Sequence, residues 1–490
     1  MGREEKDSTS VSHIVQLTAI VGGGQTIGTL ENGKKAFAWG GLPGETVEFR
    51  TTKKKPKLVE GIVTKVISPS PERIAPVDVD SYLSTSPWQI MSFDAEQRHK
   101  AELIEQAFSL HSVVLPQDIS LYSDNRLYGY RNKIEFSWYG SSLVSGDTSR
   151  GSTQNSLAET KILEAERVAR PEGREHPNNS LKKNREASIH TEEQLDLSFF
   201  RRGGKGKVPV GGTSLAHEEI NVLARQIRDL LQSKAITARQ LKTLLIRCDQ
   251  QGNCVWQLYT KVRSADIITT AEAEALPAQG GEIIYSDPSS PASRITERLA
   301  TFGNIVLTDT ILDIPFRYAT EGFFQVNLPV YERALRDMAH FVVAPAASLD
   351  PTTNVVDLYA GVGTIGLTIG GNRCTLVEID EHAVREMKRN ITDQKNQSQA
   401  ILAPSEKALD YITPDTIVIL DPPRAGLHPD VIKRLLSAQP PRIIYLSCNP
   451  VTQARDVELL LEKYQIIHHQ GYNFFPRTPH IEHLVILNAL

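Results

Sequence analysis

At 490 residues the chain is long enough for two or three domains with separate cores. It is 40% hydrophobic and 23% charged, with a net charge of −4, so its bulk charge does not advertise nucleic acid and any such contact must rest on local basic patches. Its four cysteines are too few for a disulfide scaffold and suit a reducing, cytoplasmic compartment, while no apolar run reaches membrane-spanning length and the first residues hold no apolar signal core.

Residues 1–10 read as a disordered tail. From 11 to 70, short strand-like runs broken by Gly and Asn-Gly turns predict a small β-barrel. Lys53, Lys54, Lys55 and Lys57 mark one of its loops, either a solvated hairpin tip or an RNA-holding loop. Pro69, Pro71 and Pro76 mark a boundary. The next region, 71–325, reads as a mixed α/β central domain. It opens with a helix capped by Ser92 or Asp94. A strand-like stretch follows, in which Arg126, Arg131 and Lys133 alternate with Tyr128, Tyr130 and Trp138. Cations beside aromatics fit phosphate contact plus base stacking; the plainer reading is an antiparallel strand with one wet face.

Residues 141–195, rich in Ser, Asn and charge, read as a mobile insertion with one helix at 157–170. Arg201, Arg202, Lys205 and Lys207 fall on a predicted hairpin, and a helix is expected near 215–233. Two strands then flank a Gln-Gly-Asn turn, where Cys248 and Cys254 read as packed or incidental thiols.

From 326 to 490 strands and helices alternate, the pattern of a Rossmann-like α/β domain. The strand at 354–359 runs into Ala360-Gly361-Val362-Gly363-Thr364, where small residues let a cofactor approach the backbone. The next strand ends in Glu378 and Asp380. Glu378 stands where a carboxylate accepts bonds from ribose hydroxyls, and Asp380 fits a helix cap. No lysine-bearing phosphate loop follows the glycines, which argues against nucleoside triphosphate hydrolysis.

Two further apolar runs end in Asp421-Pro422-Pro423-Arg424 and Ser447-Cys448-Asn449-Pro450. In a parallel sheet both ends lie on the ligand-binding edge. A glycine turn, an acidic strand end and D-P-P suggest an S-adenosylmethionine methyltransferase. A thiol there points to carbon rather than nitrogen chemistry. Carbon 5 of uracil becomes nucleophilic only after something adds to carbon 6, and a base must later remove the carbon 5 proton. Cys448 and Glu482 are the candidates for nucleophile and base, with His480 and His483 as alternative bases. An isolated cysteine here would read as a buried strand-end thiol.

At these residues the chain resembles the RNA uracil-5-methyltransferases of the bacterial 23S rRNA and tRNA type. The resemblance is carried by FFQVN at Phe323–Asn327, DLYAGVGTIGL at Asp357–Leu367 and VEID at Val377–Asp380. DPPRAG at Asp421–Gly426, SCNPVTQARD at Ser447–Asp456 and HIEH at His480–His483 complete it. In the barrel, GLPGE and SPERIAP resemble the family's TRAM domain, and GYRNKIEFSW the start of its central domain. The resemblance implies Cys448 as nucleophile and Glu482 as base. It puts Gln325, Tyr359, Gly361, Glu378 and Asp421 around S-adenosylmethionine and the target base. Gln325 enters on the resemblance alone.

The family's iron–sulfur members carry cysteines in stretches equivalent to Val77–Ser86 and Gly212–Ser214. This chain has none there, so no cluster and no metal is expected. The implied substrate is 23S rRNA, with the tRNA T-loop as the alternative, and no obligate protein partner. A noncatalytic RNA-binding relative and an amino-group methyltransferase are the rival readings.

Overall fold

The computed structural model describes residues 12–142, 193–343 and 354–490. The predicted tail, nearly all of the predicted insertion with its helix, and the stretch 344–353 lie outside the described residues. Among the described residues, 12–139 and those from 195 onward form one compact unit; a second, 140–194, falls almost wholly outside the description.

Five strands close the predicted barrel in the order β1-β2-β3-β5-β4: β1 (Ser12–Ile20), β2 (Thr26–Thr29), β3 (Lys35–Trp39), β4 (Thr46–Lys54) and β5 (Leu58–Ser68). Alternate residues turn inward, so Val15, Leu17, Val47 and Phe49 meet the small Ala36 and Ala38 across a narrow interior. The two sequence motifs of this region meet as an ion pair. Buried Glu45 accepts Arg73 Nε at 2.5 Å and Nη2 at 2.8 Å, and also binds the Leu42 and Ser70 amides.

A two-residue strand, β6 (Leu121–Tyr122), precedes the central sheet. That sheet comprises β7 (Lys133–Ser142), β8 (Glu193–Phe200), β9 (Lys207–Pro209), β10 (Leu241–Cys248), β11 (Cys254–Thr260), β12 (Gly280–Tyr285) and β13 (Glu297–Gly303). Its order is β13-β12-β11-β10-β7-β8-β9. Helix Glu218–Ser233 lays Ile220, Leu223, Ala224, Ile227 and Leu231 on this sheet at helical spacing. Tyr130 and Trp138 are each 1% exposed, so the plainer reading of this stretch holds and these rings serve the core.

Cys248 and Cys254 are not incidental thiols: they are buried and joined as a disulfide. The tight turn puts them directly opposite each other in the β10–β11 register. A hairpin of β14 (Val306–Ile311) and β15 (Ile314–Ala319) leads to the last sheet.

The last sheet adds β16 (Asn354–Leu358), β17 (Cys374–Glu378), β18 (Gln399–Leu402), β19 (Thr416–Leu420), β20 (Arg442–Ser447), β21 (Tyr464–Tyr472) and β22 (Glu482–Ala489). Its order is β18-β17-β16-β19-β20-β22-β21-β6. Strands β16 to β20 are parallel, and every residue of β19 and β20 is buried, as strands covered on both faces require. β22 runs antiparallel to β20, so its first residue meets the edge where the parallel strands end. From the region before β7, β6 and helix Phe93–Ser109 join this sheet. Leu103, Ile104 and Phe108 share a core with Tyr445, Val457 and Leu460. Ser92 caps that helix by accepting the Ala95 amide, leaving Asp94 in its first turn.

Candidate active site

The carboxyl edge of the parallel sheet opens into a cavity of about 1040 Å³. Its topology makes the place: chain order reverses between β16 and β19, which leaves a crevice between their ends. All seven residues singled out from sequence line it: Gln325, Tyr359, Gly361, Glu378, Asp421, Cys448 and Glu482.

One wall is a turn of backbone. Tyr359 leaves β16 in the left-handed region at φ 68°, a conformation that costs a non-glycine residue about 1–3 kcal/mol and needs support. The Ser405 hydroxyl donates to Tyr359 Oη at 2.8 Å and holds the far end of that side chain. Gly361 is also left-handed, at φ 57°, and a Cβ there would meet nothing within 4 Å, so this stretch of the wall is bare backbone. The Gly361 amide donates to Glu378 Oε2 at 2.9 Å, while Glu378 Oε1 accepts the Ile379 and Asp380 amides at 2.7 and 2.8 Å. One carboxylate thus ties the ends of β16 and β17 together. Asp380 is the helix cap that its position suggested, accepting the Ala383 amide at 2.8 Å. Two apolar side chains also face the space, Ile379 at 67% exposure and Phe323 at 70%. The next residue, Phe324, is buried and stacked on Tyr318.

The opposite wall carries the acids and the thiol. Asp421 follows β19 directly, and burial lifts its carboxyl to about 7. Burial lifts the Glu482 carboxyl well above its ordinary range, and Asp421 adds to the effect. Cys448 lies between β20 and helix Pro450–Leu460. Burial pushes its thiol up to about 11, with Glu482 and Asp421 raising it further and Arg424 opposing them. The cavity therefore favours the neutral forms of these three acids.

The D-P-P turn is fixed on that same helix start. Asn449 caps the helix and also donates to the Arg424 carbonyl at 2.9 Å, which Thr452 Oγ1 approaches at 3.1 Å. Below, buried Asp456 accepts the Leu427 amide and the Tyr445 hydroxyl. Arg424 reaches His480, with Nη2 donating to Nδ1 at 3.1 Å. Burial, then Arg424, Arg131, Lys100 and Arg202, hold the His480 imidazole down at about 4, so it accepts this bond as a neutral ring. His483 does not face the cavity. Sequence reading missed Arg424 and Phe323. Arg424 stood in the D-P-P-R motif itself, whereas nothing told Phe323 from Phe324.

The two stretches without cluster cysteines are joined by hydrogen bonds. Asp78 accepts from Thr213 Oγ1 at 3.1 Å, from the Ser214 amide at 3.1 Å and hydroxyl at 2.9 Å, and from Gln89 Nε2 at 3.1 Å.

Residues 309–490 match a family model described as tRNA (uracil-5-)-methyltransferase. An uncharacterized RNA methyltransferase of Enterococcus faecalis is 24% identical over 477 residues, covering 92% of each chain. Another, of Nanoarchaeum equitans, is 26% identical and covers 91% of this chain and 87% of its own. Among solved structures, the tRNA (uracil-54, C5)-methyltransferase of Pyrococcus abyssi, in complex with S-adenosyl-L-homocysteine, has a TM-score of 0.69 at 16% identity. That likeness of fold spans 96% of this chain and 100% of the other.

Proposed function

We propose that this chain, whose residues 309–490 match the tRNA (uracil-5-)-methyltransferase family model, methylates carbon 5 of a uridine by way of a covalent Cys448 adduct. The chain is an S-adenosylmethionine-dependent RNA methyltransferase. The observation that carries the finer reading is the shared cavity: thiol, buried carboxylic acids and a bare glycine wall face one space.

The residues fit the cofactor. The Gly361 wall has no side chain to displace, and Glu378 stands one strand away to accept ribose hydroxyls. Phe323 and Ile379 offer apolar surface to a purine ring. When bound, S-adenosylmethionine supplies an electrophilic methyl group on a positively charged sulfur.

In this reading the Cys448 thiol gives its proton to water and Sγ bonds to carbon 6 of the uracil. The ring electrons move to carbon 4 oxygen, and carbon 5 becomes the nucleophile. After carbon 5 takes the methyl group, Glu482, which has first given its own proton to water, removes the proton from that carbon. The carbon–sulfur bond then breaks and restores the ring double bond. Asp421 and Gln325 hold the base and cofactor against each other. The uridine is unpaired or flipped, because its face must be open to sulfur. The closed barrel, read as TRAM-like, and the basic hairpins hold the RNA in the cytoplasm.

Cys448→Ala is expected to abolish methyl transfer while leaving cofactor binding intact. Glu482→Gln is expected to accumulate an enzyme–RNA band that survives denaturant. Full turnover by the Cys448 variant would remove the mechanism. Mapping 5-methyluridine in 23S rRNA and in tRNA, with and without the gene, separates the favoured rRNA target from the T-loop.

A further inference from the structure

The Glu482 carboxylate makes no hydrogen bond among the described residues, so its aim is set by the chain that delivers it. On one side that chain is β22, where Glu482 pairs with Tyr472; on the other it is the connection Asn473–Ile481 between β21 and β22. The connection has no regular structure, yet the middle of its backbone is tied down. Four consecutive carbonyls accept bonds from four separate places: Phe474 from Asn327 at 3.1 Å, Phe475 from Lys100 at 3.1 Å, Pro476 from the Tyr130 hydroxyl at 2.9 Å and Arg477 from the Trp88 amide at 3.1 Å. Arg477 itself is left-handed, at φ 66°.

At the centre are Glu96 and Lys100, one turn apart on helix Phe93–Ser109, both 0% exposed and 3.0 Å from each other. Burying two charges is costly unless their remaining valences are filled. Here the connection fills them. Glu96 accepts the Arg477 amide at 3.0 Å and the Asn473 side-chain amide at 2.9 Å, and Arg477 Nη1 stands 3.7 Å away. Lys100 donates to Asn473 Oδ1 at 2.6 Å as well as to the Phe475 carbonyl.

We propose that Glu96 is a positioning residue for Glu482: with Lys100 and Asn473 it fixes the course of the connection that delivers the carboxylate to the Cys448 cavity. The inference deepens the reaction proposed above and rests on it. Loss of Glu96 should slow the step that needs Glu482, removal of the carbon 5 proton, more than the addition of Cys448 before it.

The test uses the full chain with RNA and S-adenosylmethionine, comparing Glu96→Gln, Asn473→Ser and Glu482→Gln. Glu96→Gln is expected to lower kcat about ten- to a hundredfold, with cofactor affinity within about twofold, and to accumulate the denaturant-resistant RNA adduct. Asn473→Ser, which keeps every charge, is expected to show a smaller loss of the same kind. If Glu96→Gln does not fold, Asn473→Ser decides. A folded variant that loses turnover without building up adduct, or that keeps full turnover, overturns the inference. If Glu482→Gln itself traps nothing, the assignment of the base fails and this inference falls with it.

Discussion

Glu482 and His483 are consecutive at the start of β22 and point to opposite faces of the sheet. Glu482 lines the cavity with Cys448; His483 is buried edge-on against Phe108, with ring centroids 5.2 Å apart. Strand alternation thus separates two residues that the sequence offered as rivals for one role. The His483 Nδ1 atom is 2.7 Å from Gln453 Oε1, whose amide donates to the Tyr445 and His483 carbonyls.

His483→Leu is therefore expected to act on stability. It leaves the buried Gln453 oxygen unpaired, which costs about 1–3 kcal/mol. The melting temperature should fall without accumulation of an RNA adduct. A trapped adduct in this variant would move the base assignment from Glu482 to His483.

The Cys448 thiol, pushed up to about 11, is almost fully protonated at neutral pH in the free protein. Alkylation by iodoacetamide follows the thiolate, so its rate should rise about tenfold per pH unit between pH 7 and 9. Cys374 is buried and Cys248 and Cys254 are joined, so Cys448→Ala should remove the fast-labelled site. A rate flat across that range, read by mass spectrometry, would mean that the thiol is already ionised.

Much of this site was legible because parallel strands end at one edge. Unbroken apolar runs marked β19 and β20, and whatever followed them, Asp421 and Cys448, had to share that edge. Trp138, which the sequence left between base stacking and a strand with one wet face, shares the core of the central sheet with Ile134 and Phe136. The disulfide was not read: Cys248 and Cys254 passed as packed or incidental thiols, although the turn between them sets one opposite the other. What could not be read joins distant segments: Arg424 with His480, 56 residues apart, and Glu96 with Arg477, 381 apart. Such pairs leave no local periodicity. Gln325 has none either; its backbone carbonyl is held by Asn132 Nδ2 at 3.1 Å.

Asp357 gives a pH-dependent prediction. It is fully buried, accepts the Gly366 amide through Oδ2 at 2.8 Å, and has no partner for Oδ1. Burial lifts its carboxyl to about 8. A pKa raised in the fold gives stability that is complete below the unfolded value of about 4 and is lost as pH rises through 8. Asn keeps the acceptor for Gly366 but cannot ionise. The melting temperature of Asp357→Asn, measured against the parent, should gain steadily from pH 5 to 8 and level off above. A difference independent of pH would show that Asp357 does not titrate with folding.

The basic residues divide into anchors and free charges. Arg202 stacks on Trp39 at 4.1 Å and donates to the Leu83 carbonyl, and Lys207 Nζ donates to the Trp138 carbonyl at 2.7 Å; both brace the protein. Between them, Gly203 lies against Thr52 and Ile62, bringing the β8–β9 tip beside the β4–β5 tip. Lys53 and Lys55 share Glu60 at 3.8 and 3.3 Å. Lys54, Lys57 and Lys205 are exposed and make no ion pair among the described residues. On the reading that this surface follows an RNA backbone, replacing these three by Ala should weaken RNA binding. The slope of log affinity against log salt should become shallower by about 2, since each phosphate contact releases a counterion. Arg202→Ala should instead lower the melting temperature. An unchanged salt slope in the triple variant would place the RNA on another face.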